Sequence, residues 1–342
     1  AYVDGMGGLD MLPHVMTSAP DISLETPQDR WKPDRIPTGT ELVLRAVPTM
    51  LMRPVRATRA VAQLARAVGP GPVLSLLRRG RKPDAPAKTS GMPFSGPRVF
   101  FNKVSRGQIR RSMGWVGASM EDIAPVREAF GVTFNDVALA MVTGSVRNYL
   151  LERGELPDRP LMAGNPVNMR HETDAHAIDN RWTMVLPLLP THISDPVERL
   201  EVISKGMGKV KSTVRRAGTN PVENLFALVT PGTVEFVAHV MTSALVPQLP
   251  PIFNVVLTNV ATSKEPAFIC GARIDEFYIM MMLALNIGPE CAVITYAGKA
   301  HFSVTANRDL VPDAQRLADG LLEELEILRK AASEHTAAHG PR

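Results

Sequence analysis

Ala1-Tyr2-Val3-Asp4-Gly5-Met6-Gly7-Gly8-Leu9-Asp10-Met11-Leu12 opens the chain, and the rest is organised around it. The stretch reads as a sharp turn feeding the first turns of a helix. Asp4 and Asp10 are placed to cap exposed amides, while Gly5, Gly7 and Gly8 allow backbone angles that other residues resist. Leu9 and Leu12 then face a core. On the residues alone this is an ordinary loop and cap, because short glycine motifs are common.

Outward from that start, 342 residues are enough for one large or two ordinary domains. Hydrophobic residues make up 45% and charged residues 21%, the balance of a globular chain and not of a disordered one. A net charge of +4 suits anionic headgroups or a phosphorylated co-substrate, and no nucleic-acid module signature accompanies it. Cys270 and Cys291 lack metal spacing and read as reduced thiols. No uninterrupted apolar run is long enough to span a bilayer.

Residues 13–40 are loop-like, broken by Pro13, Pro20, Pro27, Pro33 and Pro37. Residues 41–96 change character. From Glu41 to Lys82 there are nine basic residues against one acid, interleaved with Leu42, Val43, Leu44, Val47, Leu51 and Met52. Such a basic amphipathic stretch fits a membrane surface, or a helical linker packed on its own protein. Residues 83–96 form a Pro/Gly/Ser-rich boundary, and a second domain is expected over 97–334, with a disordered tail over 335–342.

Within that domain, Val99–Phe101 and the stretch from Ile109 to Val116 read as short strands. Ser119 with Glu121 and Asp122 opens a helix that Gly131 closes. Thr133 or Asn135 caps a second helix running to Arg153, apolar nearly all round and therefore buried. Strands follow over 160–167 and 182–189. Asp195-Pro196-Val197-Glu198 starts an amphipathic helix. Strands are expected at 254–260, 278–285, 291–296 and 301–305, and a last helix is capped by Asp313.

Several of these stretches recur together in one family. Tyr2-Val3-Asp4-Gly5 is similar to the end of a His-His-x-x-x-Asp-Gly motif whose histidines fall before Ala1. Phe134-Asn135-Asp136-Val137, Asn165-Pro166-Val167-Asn168-Met169-Arg170, Asn254 to Val260 and Asn307-Arg308-Asp309-Leu310-Val311-Pro312-Asp313 lie in the same order. The chain resembles the wax ester synthase/acyl-CoA:diacylglycerol acyltransferase family, especially its actinobacterial members. One departure is Ala261-Thr262-Ser263, where the family usually continues Pro-Gly-Pro.

The resemblance implies an α/β (α+β sandwich) fold like chloramphenicol acetyltransferase and condensation domains. Residues 1–40 would end the first half, 41–96 would cross over, and 97–334 would form the complete second half. It implies acyl transfer from acyl-CoA to diacylglycerol or a long-chain alcohol, with no bound cofactor and no metal. Partners would be an N-terminal segment of the same enzyme and an anionic membrane or lipid-droplet surface. The expected location is cytoplasmic, peripheral to the inner face of the plasma membrane or to droplets. The general base would be the histidine just before Ala1, with Asp4 and Gly5 shaping its loop.

Asn135 and Asp136 read as motif residues or as helix-start scaffold. Thr258 and Asn259 read as donors to a substrate tunnel or as ladder-end groups. His14, His171, His176, His192, His239 and His301 have no acid at telling spacing and read as surface or satisfied core. Alternatives are a lipid-binding scaffold of the same fold, or an acyltransferase making another lipid ester.

Overall fold

The structure, a computed structural model, describes residues 15–21, 32–48, 95–103, 110–168, 182–217, 250–283 and 286–340, with Leu12, Leu51, Met52, Val55 and Thr58. Asp4 and Gly5 lie outside the described residues, as do His14, His171, His176 and His239 and most of 53–94.

Local signals set the helices. The Ser119 hydroxyl accepts from the Glu121 amide (3.0 Å) and starts α1 (Met120–Phe130), which Gly131 ends in the left-handed conformation (φ 63°). In α2 (Phe134–Leu151) Thr133 is the cap. Its hydroxyl accepts from the Asp136 amide (3.3 Å), while the Asp136 carboxylate accepts from the Thr133 amide (2.9 Å). This reciprocal pair satisfies two amides that the first turn leaves free. Asp195 accepts from the Glu198 amide (2.7 Å) at the head of α3 (Pro196–Ala217). The last helix, α4, runs Ala314–His339.

The strands are β1 (Arg111–Ser119), β2 (Leu161–Asn168), β3 (Trp182–Val185), β4 (Leu188–Leu189), β5 (Val255–Ala261), β6 (Phe268–Ile269), β7 (Ala272–Arg273), β8 (Glu290–Tyr296) and β9 (Lys299–Asn307). One mixed sheet takes the order β1-β9-β8-β5-β2-β3, with β4 also on β2. β5 runs parallel to β2 and β8, and the other pairs are antiparallel. α4 packs on β1 and β9, α2 on α4, and α3 on α2. Leu161, Ala163, Val255, Leu257, Cys291, Val293, Phe302 and Val304 face these helices and build the core. The expected α/β class is the one observed.

Five expectations change. Val99–Phe101 is no strand: Phe100–Asn102 forms a 3₁₀ turn, fixed by the buried Asn102 amide, which donates to the Asn254 (2.9 Å) and Asn286 (3.1 Å) carbonyls. The strand expected over 182–189 is two, interrupted at Leu186-Pro187, where proline supplies no ladder amide. Residues 278–283 are extended but belong to no strand, since they bond to side chains instead of a neighbouring backbone. Asp313 does not cap α4 through its side chain. Its carboxylate accepts from the Tyr149 hydroxyl and from Arg153 (2.7 Å), stronger donors than a helix-start amide. The tail expected from 335 is helical through His339, and the Gly340 amide closes it by donating a hydrogen bond to the Thr336 carbonyl (2.8 Å).

In the basic stretch, residues 39–48 are helical. Thr38 and Glu41 form its start, the Glu41 carboxylate accepting from the Thr38 amide (2.9 Å). The apolar side chains do not fold back on the protein: Val43 is 62% exposed, Leu44 66% and Leu51 73%.

Candidate functional site

The sheet has two unlike faces. Strand alternation puts His301, Ser303 and Thr305 of β9 on the side away from the helices. Glu290, Ala292 and Ile294 of β8, Thr258 of β5 and Gly164 of β2 share that side. An otherwise apolar strand that reads His301-x-Ser303-x-Thr305 is the sequence signal of this polar face.

β5 separates two of the expected site residues. Thr258 is half-buried on the helix-free face, in register with Ala292, whereas Asn259 points to the other side and is exposed. Asn135 and Asp136 sit behind the sheet. The Asn135 amide reaches the Asn165 amide of β2 (3.5 Å), and Asp136 completes the cap of α2. Thr258 is therefore alone among the four in facing the open side.

An extended segment, residues 274–283, crosses this face. Its ends are tied by side chains of the sheet. The Tyr296 hydroxyl donates to the Ile274 carbonyl (2.8 Å) and accepts from the Ala267 amide (2.8 Å). The Ser303 hydroxyl donates to the Ile279 carbonyl (2.7 Å), and the Met281 amide donates to Thr305 Oγ1 (3.1 Å). The preceding β6–β7 hairpin holds the early part of the chain: Thr17 and Phe268 exchange two backbone bonds of 2.8 Å.

The edge of the face is set by Asn254, which sequence reasoning took only as part of a motif. It is fully buried. Its amide nitrogen donates to the Pro97 carbonyl (2.7 Å) and Asn102 Oδ1 (2.9 Å), and its Oδ1 accepts from the Met162 amide (2.9 Å). This one side chain joins the entry of the second half to β2 and β5.

His301 corrects the expectation of a satisfied core histidine. It is 1% exposed, and among the described residues neither ring nitrogen makes a well-formed hydrogen bond, the Tyr296 backbone offering only a weak one. Burial lowers its pKa below the ordinary value; the Glu276 carboxylate opposes that, and Lys299 adds to it. His192 is also shifted down by burial and by Arg147. Among the described residues no group of three His, Cys, Asp or Glu is arranged to hold a metal ion.

Residues 1–138 match the wax ester synthase/diacylglycerol acyltransferase catalytic domain, and residues 178–329 match the WS/DGAT C-terminal domain. A Mycobacterium tuberculosis protein described as a diacylglycerol O-acyltransferase is 31% identical over 337 residues, covering 97% of this chain and 69% of the relative. A second M. tuberculosis protein of that description is 29% identical over 98% of this chain, which spans 63% of its length. A solved wax ester synthase/diacylglycerol acyltransferase from Marinobacter aquaeolei shares the fold, with a TM-score of 0.61 at 22% identity over 97% of this chain and 66% of that one. The chain belongs to the wax ester synthase/diacylglycerol acyltransferase family.

Proposed function

We propose that this chain works as part of an acyltransferase that moves a long-chain acyl group from acyl-CoA to diacylglycerol or a long-chain alcohol. The observation that supports the reading is the match, in order, of both family domains to residues 1–138 and 178–329. The alcohol oxygen attacks the thioester carbonyl carbon, a base takes the alcohol proton, and the carbon–sulfur bond breaks to release the CoA thiol. An imidazole of near-neutral pKa is the efficient base for this step. We assign it to the residue immediately before Ala1, with Asp4 holding the loop and Gly5 letting it turn. We assign to Thr258, which shares the side of the sheet away from the described helices with Ser303 and Thr305, the donation of a hydrogen bond to the polarised carbonyl.

The test is thiol release from a long-chain acyl-CoA in the presence of diacylglycerol, using the protein with the segment that precedes this chain. Replacing the adjoining histidine with alanine is expected to lower turnover by about 10²–10⁴-fold. Thr258→Val is expected to lower kcat by roughly 10-fold or more with a smaller change in KM. Unchanged turnover in the histidine variant sinks the mechanism, and unchanged kcat in Thr258→Val removes that residue from it.

We also propose that residues 39–58 rest on an anionic lipid surface at the cytoplasmic side. The exposed Val43, Leu44 and Leu51 support this, together with the run of Arg45, Arg53, Arg56 and Arg59 in the sequence. Each basic residue near such a surface contributes on the order of 1 kcal/mol, and each buried aliphatic side chain roughly 1.5–3 kcal/mol. Replacing the four arginines with Gln is expected to abolish co-flotation with anionic vesicles at physiological salt. Binding that survives intact refutes the idea.

A further inference from the structure

We infer that residues 274–283 form a releasable strap over the sheet and that protonation of His301 beneath it opens the strap. This goes beyond acyl transfer, and its readout does not depend on that reaction. The strap rests on the sheet through a few side-chain hydrogen bonds, from Tyr296, Ser303 and Thr305, is joined at its start by the Ile274 amide donating to the Ala267 carbonyl (2.9 Å), and among the described residues makes no ladder with any strand. Its outer side chains have little to hold them, with Met280 58% and Met282 83% exposed. A segment with few backbone bonds and exposed apolar groups belongs to the low-stability end of a fold.

Beneath it, His301 is sealed in by two tyrosines. The Tyr278 ring of the strap stands edge-on to the imidazole, with centroids 5.3 Å apart and planes at 87°. The Tyr296 ring of β8 lies 6.1 Å away on another side. Across the sheet, Gly117 of β1 is the register partner of His301. A methyl group built on it would lie 3.9 Å from His301 Nδ1 and 3.7 Å from Tyr278 Oη. The charged and titratable groups bearing on the ring are therefore Glu276 and Tyr278 from the strap, Tyr296 from β8, and Lys299 on β9 itself. Gly117 brings no charge from β1.

A neutral imidazole tolerates this enclosure, but an imidazolium has two N–H donors that meet only a weak acceptor in the Tyr296 backbone, and burial outweighs that and the Glu276 carboxylate. Burying an unpaired charge is costly, so the protonated ring favours any state in which it meets water. Among the described residues, the part of its enclosure that is not a strand of the main sheet is the strap. Lifting it exposes His301 and lets the ring return to its ordinary pKa of about 6.5. The open state then binds the proton more tightly than the closed one. Closure is at full strength above pH 6.5 and weakens as pH falls below it, by up to about tenfold per pH unit for one proton. Glu276 leaves with the strap and moderates this slope, because it favours the proton while the strap is closed.

Hydrogen–deuterium exchange of the intact protein tests the idea, with rates at residues 274–283 corrected for the intrinsic effect of pH. Between pH 7.5 and 5.5 the protection of the strap is expected to fall severalfold, towards the limit of about 10-fold that one proton of ordinary pKa 6.5 allows, while that of β8 and β9 stays within twofold. In His301→Phe, which keeps an uncharged ring, the pH-dependent loss is expected to disappear. Ser303→Ala removes a strap bond without touching the histidine and should give lower protection at every pH with the same pH-dependent loss. Strap protection that does not change with pH in the parent protein, or that changes equally in His301→Phe, overturns the proposal. Should His301→Phe fail to fold, Gly117→Ala supplies the second variant, since its methyl covers Nδ1 and is expected to displace the onset of opening by pH.

Discussion

Replacing Glu324 with alanine is expected to destabilise the protein by about 3–5 kcal/mol, and to lower its melting temperature by roughly 10 °C. Glu324 of α4 and Arg199 of α3 form an ion pair whose side chains are 1% and 4% exposed. Arg199 also donates to the Ile193 (3.1 Å) and Ser194 (2.8 Å) carbonyls, which holds the entry of α3 against α4. Removing the carboxylate strands a guanidinium in the interior. α2 approaches so closely here that a methyl on Gly144 would fall 2.1 Å from the Glu324 carboxylate, so Gly144 has no larger substitute. Burial pushes the Glu324 carboxyl up, against the pull of Arg199 and Arg147. The folded state thus holds this proton more tightly than the unfolded chain, so the group contributes most at low pH. That contribution declines as pH rises from about 4.5 through the raised value. The pair is not a net source of stability at neutral pH, and the double variant Arg199→Met/Glu324→Leu is expected to recover most of the loss. Thermal unfolding of the two single variants and the double variant checks this; additive losses would show that the two residues act independently.

Gly114→Ala is expected to cost about 3 kcal/mol, although the same change usually strengthens a strand. Built on Gly114 of β1, a Cβ lies 2.5 Å from Gln315 Cα and 2.6 Å from both Ala314 O and Gln315 N. These are backbone atoms of the first turn of α4 and cannot swing aside as a side chain would. Moving the turn also strains the two bonds between Gln315 and the Trp115 backbone, of 3.1 and 3.2 Å. Gly208, inside α3, has nothing within 4 Å of its Cβ position. Gly208→Ala should stabilise by about 1 kcal/mol. Equilibrium denaturation of both variants reads the contrast, and equal effects would mean that contact with α4 does not govern Gly114.

The helices were legible because their signals are local. Ser119, Gly131, Thr133 with Asp136, and Asp195 with Pro196 each act within one turn of themselves. Residues 278–283 misled because an apolar run is written the same way whether it joins a ladder or lies across a sheet. Asp313 misled because its true partners, Tyr149 and Arg153, are about 160 residues away. The opposite orientation of Thr258 and Asn259 follows from strand parity alone. Which of them faces away from the helices does not, since that is decided by where α2 and α4 pack. The poor hydrogen bonding of the buried His301 ring is likewise a property of the assembled sheet and of no single stretch.

The pairing of β1 with β9 has a cost in time. It joins residues 111–119 to residues 299–307, strand to strand. During synthesis β1 emerges long before the segment that covers its hydrogen-bonding edge, and its neighbours in the nascent chain offer no substitute. Contacts this distant slow folding, and an uncovered strand edge is a site of aggregation. A ribosome stalled short of residue 299 therefore leaves a sticky intermediate, for which a holding chaperone is the natural remedy.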